Sequence, residues 1–247
     1  INIIGRGVND PHIRIYGGRA YLYASHDYSP DNSRFDMRDW QVWSSEDLLN
    51  WRLESTLRPE DTYIGRPFDG CWATDAIEKD GKYYWYFSEV DNAAGIHQIG
   101  MVVGETPAGP WFDVLGRPLL ANRSVDTEVY DPCLFKDDDG SVYILFGVWD
   151  YYIAPLAHDM LSISEAPRRV EIIDPQGPYG KGKTDDKVYL HKRAGIYYLS
   201  WGSYYATSES AHGPFRYRGC IVDPEKIEER SQRSTWPFNS KANRSQR

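Results

Sequence analysis

The chain has 247 residues, of which 41% are hydrophobic, 26% charged and 15% aromatic, a composition typical of one or two globular domains and rich in strand-forming residues. Its formal net charge of −8 argues against nucleic-acid binding, because phosphate contacts need clustered Lys and Arg. The longest apolar run, residues 143–149, is far shorter than the roughly 20 residues that span a bilayer. No signal peptide is visible. We therefore expect no nucleic-acid partner and no membrane span. The sequence does not predict whether the protein is cytoplasmic, periplasmic or extracellular.

Four β-hairpins are predicted in chain order, because four glycine-containing turns each lie between two runs of strand-forming residues. The turn glycines are Gly18, Gly81, Gly140 and Gly195, which are 63, 59 and 55 residues apart. Helical periodicity is nearly absent. Repeats of this kind, with several strands in each, are typical of an all-β propeller; a β-sandwich is the alternative.

The repeat divides the chain into about four blades and a tail. We predict a propeller domain over 1–224, with blades at 1–60, 61–122, 123–178 and 179–224, and a polar tail over 225–247 that could begin a further blade. An open ring would leave sheet edges uncovered, so self-association is expected if the ring is incomplete.

An aspartate precedes the first strand of every hairpin. These residues are Asp10, Asp75, Asp131 and Asp186, which lie 8, 6, 9 and 9 residues before the turn glycine. In a propeller the first strand of each blade lines the central channel, so we expect the four carboxylates to converge at one mouth. Facing carboxylates raise one another's pKa, which suits acid–base chemistry or a bound cation such as calcium. The alternative for each aspartate is a turn that starts its strand.

Aromatic residues lie close to the same strand ends. Trp72, Tyr130, Trp149 and Trp201 are the candidates, and together with Asp131 they are predicted to bind substrate. Flat aromatic faces beside carboxylates are typical of sites that bind sugars, so a carbohydrate is the predicted partner.

Four ordered motifs resemble glycoside hydrolase family 43. They are Asn9-Asp10-Pro11-His12-Ile13, Trp72-Ala73-Thr74-Asp75-Ala76, Asp131-Pro132 followed by residues 135–140, and residues 191–199. The second is similar to the family's W-A-P-D-V, the third to D-P-x-x-F-x-D-D-D-G and the fourth to K-R-x-G-x-Y-Y-L. The resemblance covers residues 9–222 and implies a five-bladed propeller that hydrolyses glycosides with inversion.

The resemblance also implies roles for particular residues. Asp10 would be the general base that activates water, and Asp75 would tune and orient the proton donor. The family's donor is a glutamate, and its position here is occupied by Asp186, with Asp185 and Glu128 as substitutes. Aspartate is one methylene shorter than glutamate and has a reference pKa lower by about 0.4.

The predicted function is hydrolysis of arabinofuranosidic or xylosidic linkages in plant-type polysaccharides or oligosaccharides by an exo-acting enzyme. No cofactor is expected to be required, although a structural calcium ion in the channel is a candidate. Two alternatives stay open, which are a sugar-binding propeller that has lost its acid and a retaining fructosidase-type propeller. Since five blades of about 60 residues need roughly 300, the fifth blade is predicted to be missing or incomplete in these 247 residues.

Overall fold

The first two sheets each begin with a hairpin whose tight turn contains glycine. A computed structural model describes residues 7–30 and 34–222. Gly17 and Gly18 join the first two strands with φ of 56° and 78°, a left-handed conformation that glycine adopts without steric cost. The first sheet consists of β1 (Val8–Tyr16), β2 (Arg19–Asp27), β3 (Met37–Ser45) and β4 (Arg52–Leu57), paired in that order. A 3-10 helix (Pro59–Asp61) leads to the second sheet, formed by β5 (Cys71–Lys79), β6 (Lys82–Asp91), β7 (Ile96–Gly104) and β8 (Trp111–Phe112).

The third and fourth sheets repeat this arrangement. The third contains β9 (Cys133–Lys136), β10 (Val142–Phe146), β11 (Tyr152–Pro155) and β12 (Arg168–Arg169). Three short strands follow, which are β13 (Ile172–Ile173), β14 (Gln176–Gly177) and β15 (Gly180–Lys181). The fourth sheet contains β16 (Val188–Arg193), β17 (Ile196–Trp201), β18 (Tyr204–Ser208) and β19 (Phe215–Cys220), with β13 added in parallel beside β19. The strands β14 and β15 form a separate two-stranded ribbon.

The sheets pack face to face in chain order. One buried cluster joins the first and second sheets through Trp40, Trp85 and Phe87. A second cluster joins the second and third sheets, and a third cluster, which includes Trp201 and Leu199, joins the third and fourth. Burying each of these large apolar side chains contributes roughly 1.5–3 kcal/mol. This packing brings the inner strands β1, β5, β9 and β16 together around one axis.

The prediction of an all-β propeller with four blades is confirmed. Within residues 7–30 and 34–222 there is no fifth sheet of four or more strands, and no helix is long and apolar enough to cross a membrane. The predicted polar tail, 225–247, lies outside the described residues. Self-association stays a prediction.

Candidate active site

The hairpin registers define matched depths along the four inner strands. The last paired residues before each turn are Tyr16, Lys79, Asp137 and Arg193. Counting back six residues gives the mouth level, which we define as Asp10, Ala73, Asp131 and Lys187. Counting back four gives the second level, which we define as His12, Asp75, Cys133 and Tyr189. The second level lies closer to the hairpin turns and therefore deeper along the channel, with β-bulges at the mouth level of the first two blades.

The mouth level surrounds a cavity of about 150 Å³, whose described lining is completed by Pro11, His12, Pro132 and Val188. Asp10, Asp131 and Lys187 adopt left-handed φ of 52°, 58° and 55°. Such conformations cost roughly 1–3 kcal/mol each in non-glycine residues and cluster at functional sites. At Asp10 the ladder between β1 and β2 shifts register between Asn9 and His12, and a bulge of this kind re-aims a side chain.

Asp75 lies at the second level and is fully buried. Its carboxylate accepts hydrogen bonds from Arg14 Nε (3.0 Å) and the Leu134 backbone N–H (2.7 Å), and it lies 3.1 Å from His12 Nδ1. Burial favours the protonated form, but the charges of Arg14 and His12 outweigh burial and lower the pKa of Asp75 to about 2. The described lining of the mouth cavity does not include Asp75, so the predicted convergence of four aspartates is not what the structure shows.

Asp131 is the buried carboxyl of the mouth level. Its Oδ2 accepts the Lys187 backbone N–H at 3.3 Å, and its own N–H donates to Ser88 Oγ at 3.0 Å. Burial, followed by the charge of Asp186, raises the pKa of Asp131 well above its usual value. The group therefore retains a proton at a pH where an exposed aspartate has lost it.

Asp185 and Asp186 lie directly before the fourth inner strand. The Asp185 carbonyl accepts hydrogen bonds from Tyr151 Oη (2.6 Å) and the Trp149 N–H (3.3 Å), which fixes the segment beside the mouth. Burial and the charge of Asp186 raise the pKa of Asp185 to about 6, and burial also raises the pKa of Asp186. The Asp186 residue as a whole is exposed, and the described lining of the mouth cavity does not include it or Asp185.

Lys187 is not among the residues predicted from the sequence, although it occupies the mouth-level position of the fourth blade. Its ammonium forms an ion pair with Asp10 Oδ1. Counting back from the turn glycine reaches Lys187 at the same offset of eight residues as Asp10. This equal spacing could have identified Lys187 from the sequence. The search for aspartates at equivalent positions did not find it, because the residue there is a lysine.

Glu128, the other proposed substitute for the acid, is held by a different partner. Its Oε2 contacts His97 Nδ1, and the His97 ring packs against Tyr130 with centroids 5.4 Å apart. Glu128 is therefore engaged at the rim, and the described cavity lining does not include it.

Three of the four candidate aromatic residues lie near the mouth. Trp72 packs edge-on against Tyr130 and Phe35, with ring centroids 5.6 and 5.4 Å apart. Trp149 is 43% exposed and packs against Tyr179. The prediction for Trp201 is wrong, because this side chain is fully buried between the third and fourth sheets and has no free face for a sugar.

The candidate calcium ion has no matching set of ligands in the described part of the chain. No three His, Cys, Asp or Glu residues there are arranged to hold a metal ion. Asp75, the most buried carboxylate, already has its oxygens engaged by protein donors.

The mouth thus brings the half-buried carboxylate of Asp10 and the buried carboxyl of Asp131, whose pKa is raised, to one cavity. Asp186, whose pKa is also raised, precedes the cavity-lining Lys187 in the chain. One group that can take a proton from water and a second that can deliver one are the pair that glycoside hydrolysis requires. Fold and site together define a propeller-type glycoside hydrolase.

Comparison with known proteins gives the family. The profile of glycosyl hydrolases family 43 matches residues 2–220, and the chain belongs to that family. It is similar to a xylosidase/arabinosidase of Bacteroides ovatus, with 31% identity over 87% of this chain and 78% of the relative. It is also similar to a β-xylosidase of Xylanibacter ruminicola, with 28% identity over 87% and 79% of the two chains.

Solved structures agree with this assignment. A β-xylosidase/α-arabinofuranosidase of the family from a compost microbial metagenome, solved with xylotriose in a calcium-free form, superposes with a TM-score of 0.74. The two chains are 32% identical over 88% of this chain and 78% of the other. These matches give no support to the fructosidase-type alternative.

Proposed function

We propose that the protein removes arabinofuranosyl or xylosyl residues from plant-type polysaccharides or oligosaccharides, by single displacement with inversion at the anomeric carbon. Family membership and the activities of the relatives support this substrate class. The observation that carries the proposal is the mouth level itself, where Asp10 and Asp131 face the same small cavity. The proposal includes exo action on a terminal sugar at this cavity.

Asp10 is the general base in this proposal. Its carboxylate lies at the cavity on the re-aimed bulge of β1 and forms an ion pair with Lys187. A water molecule held by Asp10 attacks the anomeric carbon, and Asp10 takes its proton. The bond from the anomeric carbon to the leaving oxygen breaks on the opposite face of the sugar, as inversion requires.

Asp186 supplies the proton to the leaving oxygen, and Asp131 is the carboxyl that tunes and orients it. Asp131 is buried, and the charge of Asp186 contributes to its raised pKa, so in this proposal the two carboxyls hold one proton between them. Asp186 is the exposed member of the pair, and we assign the delivery of the proton to it. This assigns to Asp131 the role that the family resemblance gave to Asp75, because the charge of Asp75 is neutralised by Arg14 one level deeper.

Product stereochemistry tests the proposal most directly. Proton NMR of the first sugar released from 4-nitrophenyl α-L-arabinofuranoside or 4-nitrophenyl β-D-xyloside should show the inverted anomer before mutarotation. Retention of configuration, or no turnover of either glycoside and of arabinoxylan oligosaccharides, would refute it.

Substrates with different leaving groups distinguish the general acid from the general base. Asp186→Asn should lose about 10²–10⁴-fold in kcat on an oligosaccharide, but much less on a 2,4-dinitrophenyl glycoside, whose leaving group needs no proton. Asp10→Asn should lose activity on both substrates. Asp185→Asn is the matched control, because it removes the neighbouring carboxyl while Asp186 stays in place.

A further inference from the structure

Lys187 connects the two carboxyls of the mouth level. Its ammonium pairs with Asp10 Oδ1, and its backbone N–H donates to Asp131 Oδ2 at 3.3 Å. It is also the only lysine or arginine among the described residues that line the mouth cavity. A single residue therefore contacts both the proposed base and the buried carboxyl opposite it.

The charges around Asp10 show why this contact matters. The groups before the third and fourth inner strands are acidic, namely Asp131, Asp185 and Asp186. On its own strand, His12 lies within 3.1 Å of Asp75, and Arg14 donates to Asp75 and to the Leu134 carbonyl. From β2, Asp10 is approached by the neutral hydroxyl of Ser25, at 3.5 Å.

Lys187 is thus the cation that offsets the acidic surroundings of Asp10. Burial lowers the pKa of Lys187 to about 8, so the ammonium persists through neutral pH. The side chain is 41% exposed, which leaves room for it to adjust when a sugar enters.

We propose that Lys187 is a positioning residue that keeps Asp10 ionised and aimed at the cavity. The inference rests on the proposed function, because it assigns Asp10 the role of base. Without the ammonium, Asp10 faces neighbouring carboxylates alone. The loss of an opposite charge at this range raises the pKa of a carboxyl by about 1–3.

The test compares the wild-type protein with Lys187→Met and Lys187→Arg. The pKa of Asp10 is measured by carbon-13 NMR titration of its carboxyl, assigned by the signal missing from Asp10→Asn. We expect a value at or below the usual 3.9 in the wild type, a pKa higher by at least about 1 in Lys187→Met, and a near-wild-type value in Lys187→Arg.

Kinetics supply the functional half of the test. The acid limb of the pH profile of kcat/KM should move upward in Lys187→Met by as much as the Asp10 pKa rises. At a pH below that limb, activity then falls about tenfold if the Asp10 pKa rises by 1, while Lys187→Arg restores the wild-type limb. A merely structural role for Lys187 would lower activity at every pH without moving the limb.

Three results would overturn the inference. These are an Asp10 pKa above its usual value in the wild type, an unchanged Asp10 pKa in folded Lys187→Met, and an acid limb that does not follow the Asp10 pKa. The wild-type titration requires no variant to fold, and Lys187→Gln offers a second neutral replacement. If the Asp10 pKa rises as expected in Lys187→Met while the wild type hydrolyses no glycoside, the proposed function is refuted. The electrostatic effect of Lys187 on Asp10 is then still supported.

Discussion

Asp75→Asn distinguishes a structural carboxylate from a catalytic one. In the structure this carboxylate is fully buried and paired with Arg14, whose side chain is 20% exposed, so the substitution leaves a largely buried guanidinium without its counter-charge. Breaking a buried ion pair in this way costs roughly 3–5 kcal/mol. We expect the free energy of unfolding to fall by about that amount at pH 7, and activity to fall because less protein is folded.

The pKa of Asp75 gives an independent magnitude. It lies near 2 in the folded protein against a reference value of 3.8, a difference that corresponds to about 2 kcal/mol at 1.36 kcal/mol per pH unit. Because the folded-state pKa is the lower one, this stabilisation is present above pH 4 and is lost as the pH falls toward 2. Because Asp75 is fully buried, solvent screening does not reduce this contribution to stability.

Urea unfolding followed by tryptophan fluorescence at pH 7 measures the effect. Asp138→Asn is the control, because Asp138 is 84% exposed and pairs with Lys192 at the surface, so its loss should cost at most about 1 kcal/mol. The double variant Arg14→Met/Asp75→Asn should recover part of the loss, since no unpaired buried charge remains. If Asp75→Asn keeps the wild-type unfolding free energy and loses hydrolysis, the structural role is refuted and Asp75 acts in the chemistry.

Three further predictions concern the mouth and the core. Asp131→Asn should cut kcat by about 10²–10⁴-fold, because it removes the buried carboxyl that faces the cavity together with Asp10; a kcat within a few-fold of the wild-type value would contradict a role for Asp131. Trp201→Ala should cost roughly 3–5 kcal/mol in unfolding free energy, whereas Trp72→Ala should raise KM with little change in stability; the reverse pattern contradicts the structure. Gly70→Ala should lower the melting temperature, because a Cβ there would lie 2.0 Å from the Val90 carbonyl oxygen.

The sequence by itself determined the architecture. Turn glycines such as Gly18 and Gly81 adopt left-handed backbone, and the β-rich runs beside them predict hairpins strongly when the pattern recurs four times. The position of Asp10 beside the channel also followed, because the first strand of each blade lines the axis. These features depend on local conformational preference and on repetition, and both can be recognised in the amino-acid sequence alone.

Depth along the channel was decided only by tertiary structure. Asp75 precedes its turn glycine by six residues rather than eight or nine, and two residues of strand are one pleat, roughly 6.6 Å. That step takes Asp75 out of the mouth and into an ion pair with Arg14, while Ala73 takes the mouth position. Likewise, Trp72 at the rim and Trp201 in the core look alike in sequence, because burial depends on which sheets face each other. Strand register and sheet packing set which carboxyls share a cavity, and both arise from contacts between segments far apart in the chain.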